Sequence, residues 1–414
     1  MCREEPGRQM KVDETAAVAG WVAAHESELI ALRRDLHAHP ELGRQEHRTA
    51  EQVEARLRAA GLSPQRLPDL PGLWCDIGAG VDHDPGAPVI MLRADMDALP
   101  LSDIKDVPYR STVPGVAHAC GHDVHTTVAL GAGLALAEVA RVSTLPGTVR
   151  LVFQPAEELM PGGALDIIDA GVLKPVTTAI ALHCDPALDL GMIGLRTGPI
   201  TSAADAVEIT LAGPGGHTSR PQNTVDLVYA LVRLAADLPA ALGRLVDPRS
   251  ALSLVWGQVQ AGTVANAIPR TGQLRGTVRT LSRETWESVP ALVTQVAEQL
   301  VAPYGAQIVV DYRRGVPPVV NSVDVVEVLR TVVDRVFGHG ASTMVAQSLG
   351  GEDFGWYLNH VPGALARLGT RTPGGHTYDL HQGSFDVDER AIGVGVKLLA
   401  GAALDLLTHT PPAP

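Results

Sequence analysis

Residues 148–155 read TVRLVFQP and residues 177–184 read TTAIALHC, two short apolar runs that each predict a β-strand. A further strand is predicted at VIML (89–92), and a helix rich in small residues, near 123–140, separates it from TVRLVFQP. Strands that alternate with helices in this way are typical of a largely parallel sheet packed between helices. The sequence therefore predicts an α/β fold.

Polar side chains follow each of these strands. Open α/β sheets place their functional sites at the carboxyl ends of the strands, so these side chains are candidates for one site. They are Asp95 and Asp97, then Glu157 and Glu158, then His183. The last strand is expected to stop before Pro186.

The segment AHACGHDVH (117–125) holds one cysteine and three histidines within nine residues. Cys120 and His122 can turn toward one point only if the chain bends between them, and Gly121 permits that bend. A thiolate with an imidazole suits zinc or a similar divalent ion. We expect Cys120 and His122 to be metal ligands. His118 and His125 are expected either to support those ligands from outside the metal site or only to fill space. The alternative is a plain helix start around a buried structural cysteine.

The two pairs of acidic residues have separate interpretations. Asp95 and Asp97 are at strand spacing and share one face, where a cation or donor must offset their repulsion. The alternative is a strand-end cap, or a partner for Arg93. Glu157 and Glu158 are neighbours whose side chains are expected to diverge. One would bind metal and the other would act as a general base, unless both are solvated turn residues.

Two later histidines are ambiguous from chemistry alone. His183 follows a mostly apolar strand and is by itself more often a core residue. His381 lies in the glycine-rich stretch GGHTYDLHQGSFD (374–386), which also contains His376. The residue types do not distinguish these two histidines.

The predicted order of helices and strands changes after residue 202, which indicates a second domain. The predicted order from there is β-α-β-β-α-β, the ferredoxin-like arrangement, and helix–strand alternation resumes after it. We therefore predict a catalytic domain at 13–202 and 315–408, with an inserted α+β lid at 203–314. The lid carries three polar candidates, His217, Asn266 and Arg279.

The composition excludes several classes of partner. Lys and Arg total 33 against 46 Asp and Glu, a formal net charge of −13, which argues against nucleic acid and against anionic membranes. No run of about 18 apolar residues is apparent, and the N-terminus lacks an apolar signal core. The four cysteines form no regular disulfide framework. A cytoplasmic location is the simplest expectation.

Seven sequence blocks occur in order along the chain: RRDLHAHPELGRQE (33–46), LRADMDALP (92–100), HACGHDVHT (118–126), VFQPAEE (152–158), GPGGHTSRPQNTVD (213–226), SLGGEDF (348–354) and LHQGSFDVDE (380–389). Taken together, they resemble the dinuclear-metal aminoacylase and carboxypeptidase family, specifically its amidohydrolase branch, over residues 25–405. That branch includes hippurate hydrolases, N-acyl-amino-acid amidohydrolases and auxin-conjugate hydrolases.

The resemblance implies metal-dependent hydrolysis of the amide bond of N-acyl amino acids by two divalent ions (Zn, Mn or Co). It implies metal ligands at Cys120, His122, Glu158, His183 and His381. It also implies that Glu157 is the general base, that Asp97 orients a ligand histidine, and that His217 polarises the scissile carbonyl in the partner subunit's site. Asn266 and Arg279 match lid positions that contact substrate, and a homodimer through the lid is expected.

Alternatives remain open at this level. A dipeptidase or carboxypeptidase of the same family would share most of these residues, although Asp95 and Cys120 favour the amidohydrolase branch. A thiol hydrolase with Cys120 as nucleophile would leave both glutamates idle. A non-catalytic metal-binding scaffold would not need Glu157. Cys184 departs from the family pattern by adding a thiol after His183.

Overall fold

The computed structural model describes residues 7–78 and 86–408, with side chains from residue 14 onward, and it forms two compact units. Unit 1 comprises Met1–Gly198, Asn321–Ala346 and Trp356–Pro414. Unit 2 comprises Pro199–Val320 and Gln347–Gly355. The second of these segments lies within 315–408, which was predicted to belong to the catalytic domain.

In the described residues the α-helices are α1 (Gly7–Ala38), α2 (His47–Ala59), α3 (His122–Val142), α4 (Ala164–Asp169), α5 (Leu227–Leu245), α6 (Arg283–Val301), α7 (Val323–Phe337), α8 (Gly355–Leu358) and α9 (Ala391–Thr408). The strands are β1 (Gln65–Arg66), β2 (Leu73–Gly78), β3 (Val89–Asp95), β4 (Thr148–Gln154), β5 (Thr178–Asp189), β6 (Ile193–Leu195), β7 (Gly198–Pro199), β8 (Ala204–Ala212), β9 (Gly216–His217), β10 (Ser253–Ala261), β11 (Ala267–Ile268), β12 (Thr271–Arg279), β13 (Gln307–Val316), β14 (Val320–Asn321), β15 (Ser342–Met344) and β16 (Gly363–Arg371).

Unit 1 is built on one sheet with the strand order β1-β2-β4-β3-β5-β16-β6-β15. The pairs β4·β3, β3·β5, β5·β16 and β6·β15 are parallel. The pairs β1·β2, β2·β4 and β16·β6 are antiparallel. This confirms the predicted α/β fold with a mostly parallel central sheet.

The apolar strands of this sheet are buried along their whole length. Every residue of β3 and β4 is buried, as expected for parallel strands covered on both faces. Helix α3 packs against α1 and α9, and these helices share one hydrophobic core with the sheet. The carboxyl ends of β3, β4 and β5 therefore have a rigid support.

Helix α9 is long and apolar enough to span a membrane, although no such helix was expected from the sequence. Its length and its mean hydropathy of 1.7 are sufficient for a span, but 83% of it is buried inside the structure. It contacts α1, α3 and α7. Those contacts are typical of the core helix of a globular unit.

The expectation that β5 stops before Pro186 is wrong, because the strand continues to Asp189. The β5·β16 register shifts at this point, between Gly369 and Arg371. Proline cannot donate to a ladder and is tolerated in a strand mainly at such irregularities. The longer strand keeps His183 within β5, not at its end.

Unit 2 holds an antiparallel sheet with the strand order β10-β12-β8-β13, and α5 and α6 pack against its strands. The elements follow one another as β8-α5-β10-β12-α6-β13. Helix α5 begins at Leu227, where the Asp226 side chain accepts the Tyr229 N–H at 3.3 Å and caps the helix. The buried Asp205 carboxylate accepts from the Trp286 indole, the Tyr312 hydroxyl and the Gly315 N–H.

Candidate metal centre

The centre begins at a sharp bend where α3 starts. Gly121 has a φ of +91°, and a Cβ built there would lie 2.7 Å from the Cys184 sulfur, so only glycine fits without movement. The bend turns Cys120 and His122 to the same side. Ligand atoms of these two residues and of His183 all lie within 4.8 Å of one another.

The hydrogen bonding of His183 leaves one ring nitrogen that could bind a metal ion. Its Nδ1–H donates to the Cys184 carbonyl oxygen at 2.7 Å, which leaves Nε2 with a free lone pair. That nitrogen lies 3.4 Å from the Cys120 sulfur. Burial lowers the pKa of His183 well below its usual value, and the nearby Arg367 charge lowers it further.

His122 also presents Nε2 to the centre. Its Nδ1 lies 3.2 Å from Asp97 Oδ1, while the buried Nε2 has no hydrogen-bond partner among the described residues. Burial opposes a charge on this ring, but the Asp95 carboxylate and the Cys120 thiol raise the pKa of His122 well above its usual value. The surroundings of His122 thus favour a positive charge, which a bound cation would supply in place of the proton.

Glu157 and Glu158 do not diverge as expected. A carboxylate oxygen of each lies 3.9 Å from His122 Nε2. The turn after β4 permits this convergence because Ala156, just before the pair, has a left-handed φ of +58°. Asp97 Oδ2 accepts the Glu158 N–H at 2.9 Å, so one carboxylate contacts both the His122 ring and this turn.

His381 completes the cluster from the loop before α9. Its Nε2 lies 3.3 Å from Glu158 Oε1, and its backbone N–H donates to the Ala119 carbonyl oxygen at 2.8 Å. The side chain is 54% exposed, so it is the most open member of the cluster. The nearby Glu158 carboxylate raises the pKa of His381 despite partial burial.

The donor set fits a pair of divalent ions. Cys120, His122 and His183 form one group, Cys120, Glu158 and His381 form another, and the Cys120 sulfur belongs to both. Burial raises the pKa of the Cys120 thiol, and a cation bound to it would favour the thiolate instead. Soft sulfur, imidazole and carboxylate oxygen together suit zinc, manganese or cobalt.

His125 and Arg93 lie near the centre but are paired with other residues, whereas both ring nitrogens of His118 are buried without a hydrogen-bond partner among the described residues. His125 donates from Nδ1 to Asp95 at 2.7 Å and accepts the Cys184 N–H on Nε2, so neither nitrogen is free for a metal. Arg93 lies 2.6 Å from Asp95 and supplies positive charge beside it. His118 is fully buried, and burial lowers its pKa to about 3.

His376 lies outside the centre. It is exposed, and its ring packs edge-on against Tyr378 with the ring centroids 4.7 Å apart. Among the described residues it belongs to none of the candidate metal groups.

The lid candidates lie in unit 2. His217 lies on β9, and Asn266 lies directly before β11, the strand that pairs with β9. The Thr218 N–H donates to the Asn266 carbonyl oxygen at 3.2 Å. This hairpin borders a groove of about 520 Å³ within unit 2. Arg279, at the end of β12, instead donates to the Leu349 carbonyl oxygen. The structure therefore brings His217 and Asn266 together and shows no contact of Arg279 with either of them.

A buried ionic network behind α3 was missed by residue-level reasoning. The Asp123 carboxylate accepts from Arg33 Nε and from His37 Nδ1, both at 2.7 Å, and all of these side chains are buried. Asp123 directly follows His122, so the network fixes the start of α3. The only signal was the clustering of Arg33 and His37 within the RRDLHAH stretch.

Comparison with known proteins places this centre in a family. The model of peptidase family M20/M25/M40 matches residues 91–405. The chain belongs to this family. N-acetylcysteine deacetylase of Bacillus subtilis is 36% identical over 385 residues, which cover 93% of this chain and 98% of that protein.

Two further likenesses bear on the M20/M25/M40 assignment. The Bacillus subtilis YxeP protein, a dinuclear metal-binding peptidase of family M20, has a crystal structure with a TM-score of 0.81, 32% identity, and coverage of 94% of this chain and 100% of that one. A putative glutamate–cysteine ligase of Rhodococcus jostii is 49% identical over 374 residues, which cover 90% of this chain but only 46% of that protein. The chain thus spans about half the length of that relative.

These likenesses and the donor set define the class of enzyme. The chain is a metal-dependent amidohydrolase of family M20/M25/M40 with a dinuclear metal centre.

Proposed function

We propose that this enzyme hydrolyses the amide bond of N-acyl amino acids and releases a carboxylic acid and an amino acid. The main support is the pair of consecutive glutamates, which both lie 3.9 Å from the buried His122 Nε2. One of them can serve the metals while the other remains available for proton transfer. The likeness to an N-acetylcysteine deacetylase points to the same substrate class.

The proposed metal ligands are Cys120, His122, Glu158, His183 and His381. Bound divalent ions would lower the pKa of a coordinated water to about 7 and polarise the substrate carbonyl. Asp97 orients His122 through Nδ1 and holds the Glu158 backbone, so it positions two ligands at once.

Glu157 is the proposed general base. Its carboxylate takes the proton of the attacking water, and the protonated acid then gives that proton to the leaving amine. The water oxygen forms a bond to the acyl carbon, the carbon–nitrogen bond then breaks, and the amine leaves with the proton that Glu157 held. That transfer regenerates the Glu157 carboxylate, so one water is consumed for each amide bond cleaved.

His217 is the proposed oxyanion donor. Its Nδ1 accepts the Ser219 N–H at 3.1 Å, so a neutral ring carries its proton on Nε2 and can donate outward. Loss of one such donor typically costs about 2.7–4 kcal/mol in the transition state. Asn266 and Arg279, both in unit 2, are proposed to contact the substrate.

Unit 2 is proposed to be the lid and dimerisation domain of a homodimer, and unit 1 the catalytic domain. Strand β10 is at the edge of the unit 2 sheet, and its Val255 and Val259 are exposed. Tyr229 and Val232, on α5 of the same unit, are also exposed. An apolar strand edge of this kind is a template for pairing with a second chain.

Mixing two inactive variants tests both the homodimer and the role of His217. Dimers of Glu157→Gln and dimers of His217→Ala are each expected to be nearly inactive. After subunit exchange, mixed dimers contain one complete site, and random pairing restores about a quarter of wild-type activity. An equal mixture of Glu157→Gln and Glu158→Gln is the matched control and should not recover. Failure of the first mixture to recover, despite demonstrated exchange, would contradict the shared site.

A substrate panel tests the proposed reaction. Metal-free enzyme restored with Zn, Mn or Co should be assayed on N-acetyl, N-benzoyl and long-acyl amino acids, including N-acetylcysteine, and on dipeptides and longer peptides. We expect kcat/KM for the best N-acyl amino acid to exceed that for any peptide by about tenfold or more. A preference for peptides would instead favour the dipeptidase or carboxypeptidase alternative.

The cytoplasm remains the proposed location. Cys75, Cys120 and Cys184 are all free thiols within the described residues, as a reducing compartment allows. Recovery of the enzyme mainly outside the cytoplasmic fraction of its cells would contradict this.

A further inference from the structure

The turn that carries the two glutamates is held by two carboxylates from elsewhere in unit 1. Asp97 Oδ2 accepts the Glu158 N–H at 2.9 Å. Glu46 Oε1 accepts the Ala156 N–H at 2.7 Å, from a position 110 residues earlier in the chain. Glu46 is completely buried and has had no part in the chemistry proposed above.

Ala156 needs this contact because its backbone is both strained and buried. Its φ of +58° lies in the left-handed region, which is sterically unfavourable for an L-residue other than glycine. The residue is fully buried, so its N–H requires an acceptor within the protein. Glu46 supplies that acceptor, while Gly163 N–H donates to the Ala156 carbonyl oxygen at 3.0 Å.

We propose that Glu46 is a positioning residue for Glu157. By accepting the Ala156 N–H, Glu46 fixes the left-handed turn that brings both glutamates to the same His122 nitrogen. Glu46 acts through the backbone and does not touch the reacting atoms. This inference rests on the proposed role of Glu157 as general base.

Glu46 is itself well anchored. It directly precedes α2, and the Ala50 N–H donates to the Glu46 carbonyl oxygen at 3.0 Å. The Glu41 carboxylate accepts the N–H groups of Arg48 and Thr49 at 2.9 and 2.8 Å, which caps the same helix end. The Glu46 side chain is therefore presented from a rigid support.

The surroundings of Glu46 indicate which substitution is conservative. Burial, with the Asp97 charge, raises the pKa of Glu46 to about 8, so the carboxyl is largely protonated near neutral pH. Glutamine is neutral, has the same length and keeps a carbonyl acceptor for the Ala156 N–H. Aspartate keeps the carboxyl but is one methylene shorter, and alanine removes the acceptor.

Hydrogen exchange on metal-free protein tests the contact without any assay of activity. In Glu46→Ala the Ala156 amide is expected to exchange at least about tenfold faster than in wild type, because its acceptor is gone. Glu46→Gln should retain wild-type exchange, whereas Glu46→Asp should resemble the alanine variant. Glu54→Ala is the control, since it removes an α2 carboxylate paired with Arg58 and Arg66. Unchanged Ala156 exchange in Glu46→Ala would overturn the proposal.

Kinetics on the metal-loaded enzyme then test the positioning role. Glu46→Ala and Glu46→Asp are expected to lower kcat by about tenfold or more with KM changed less than about threefold. Glu46→Gln should stay within about twofold of wild type, as should Glu54→Ala. A Glu46→Gln variant as impaired as Glu46→Ala, or a Glu46→Ala variant with wild-type kcat, would overturn the proposal. Wild-type enzyme without amidohydrolase activity, or full activity in Glu157→Gln, would instead refute the proposed function and leave the exchange result standing.

Discussion

Replacing Glu157 with glutamine is expected to lower kcat by about 10²–10⁴-fold while the metal content stays at the wild-type level. Glutamine has the same shape but cannot take a proton from water, so it removes the base and little else. Glu157 is not among the proposed ligands, and His122, Glu158 and Asp97 keep their contacts. The measurements are steady-state kinetics and metal analysis of the purified variant.

The adjacent substitution Glu158→Gln provides the comparison. Because Glu158 groups with Cys120 and His381, its loss should reduce metal content as well as turnover. Loss of metal in Glu158→Gln but not in Glu157→Gln would be difficult to explain by general damage to the turn. Full turnover in Glu157→Gln would rule out the general-base role, and loss of metal in that variant would make Glu157 a ligand.

Removing the metals is expected to abolish hydrolysis and to destabilise the fold. The activated water and the polarised carbonyl both depend on the ions, so turnover should fall at least about a hundredfold and return when Zn, Mn or Co is added back. Metals that bind only the folded chain stabilise it by about 2.7 kcal/mol at a free concentration of 100 Kd. Chelation should therefore also lower the Tm, which calorimetry on the same sample would record.

A chelator already saturated with zinc serves as the control for non-specific effects of the reagent. Full turnover in enzyme shown to be free of metal would contradict the two-ion mechanism. It would favour the thiol-hydrolase alternative with Cys120 as nucleophile. That alternative is already disfavoured by geometry, because the Cys120 side chain is buried and burial raises the pKa of its thiol.

The central sheet could be predicted because its signals are local. Continuous apolar runs such as TVRLVFQP are typical of strands covered on both faces, and β4 is buried throughout. The same local reasoning failed at Pro186, where the register shift in the β5·β16 ladder accommodates the proline. That irregularity depends on a partner strand that is distant in the sequence.

The bend at Gly121 was also predictable, because Cys120 and His122 can converge only if the chain bends between them and glycine permits that bend. The positive φ of Gly121 is seen only in the structure. Convergence of Glu157 and Glu158 was not predictable. It depends on a left-handed alanine, which nothing in the local sequence signals, since alanine rarely adopts that conformation. The acceptor for that alanine comes from Glu46, so the turn is set by tertiary contact and not by local preference.

Chemistry alone did not separate His381 from His376, and resemblance to a family was needed. The structure gives the physical reason. The His381 backbone N–H donates to the Ala119 carbonyl oxygen beside the Cys120 bend, whereas His376 is exposed and packs edge-on against Tyr378. The amino-acid sequence gives no local signal for this hydrogen bond, because His381 and Ala119 lie far apart along the chain.

The position of β16 in the sheet has a consequence for biosynthesis. It lies between β5 and β6, yet the ribosome makes it after the whole 199–320 segment. The chain of unit 2 is almost contiguous, whereas the middle of the unit 1 sheet stays open until residue 371 has emerged. At about 5–20 residues per second, residue 371 would be made several seconds after the 199–320 segment is complete. His381 follows still later, so the nascent polypeptide acquires the full set of proposed ligands only after β16 has been made.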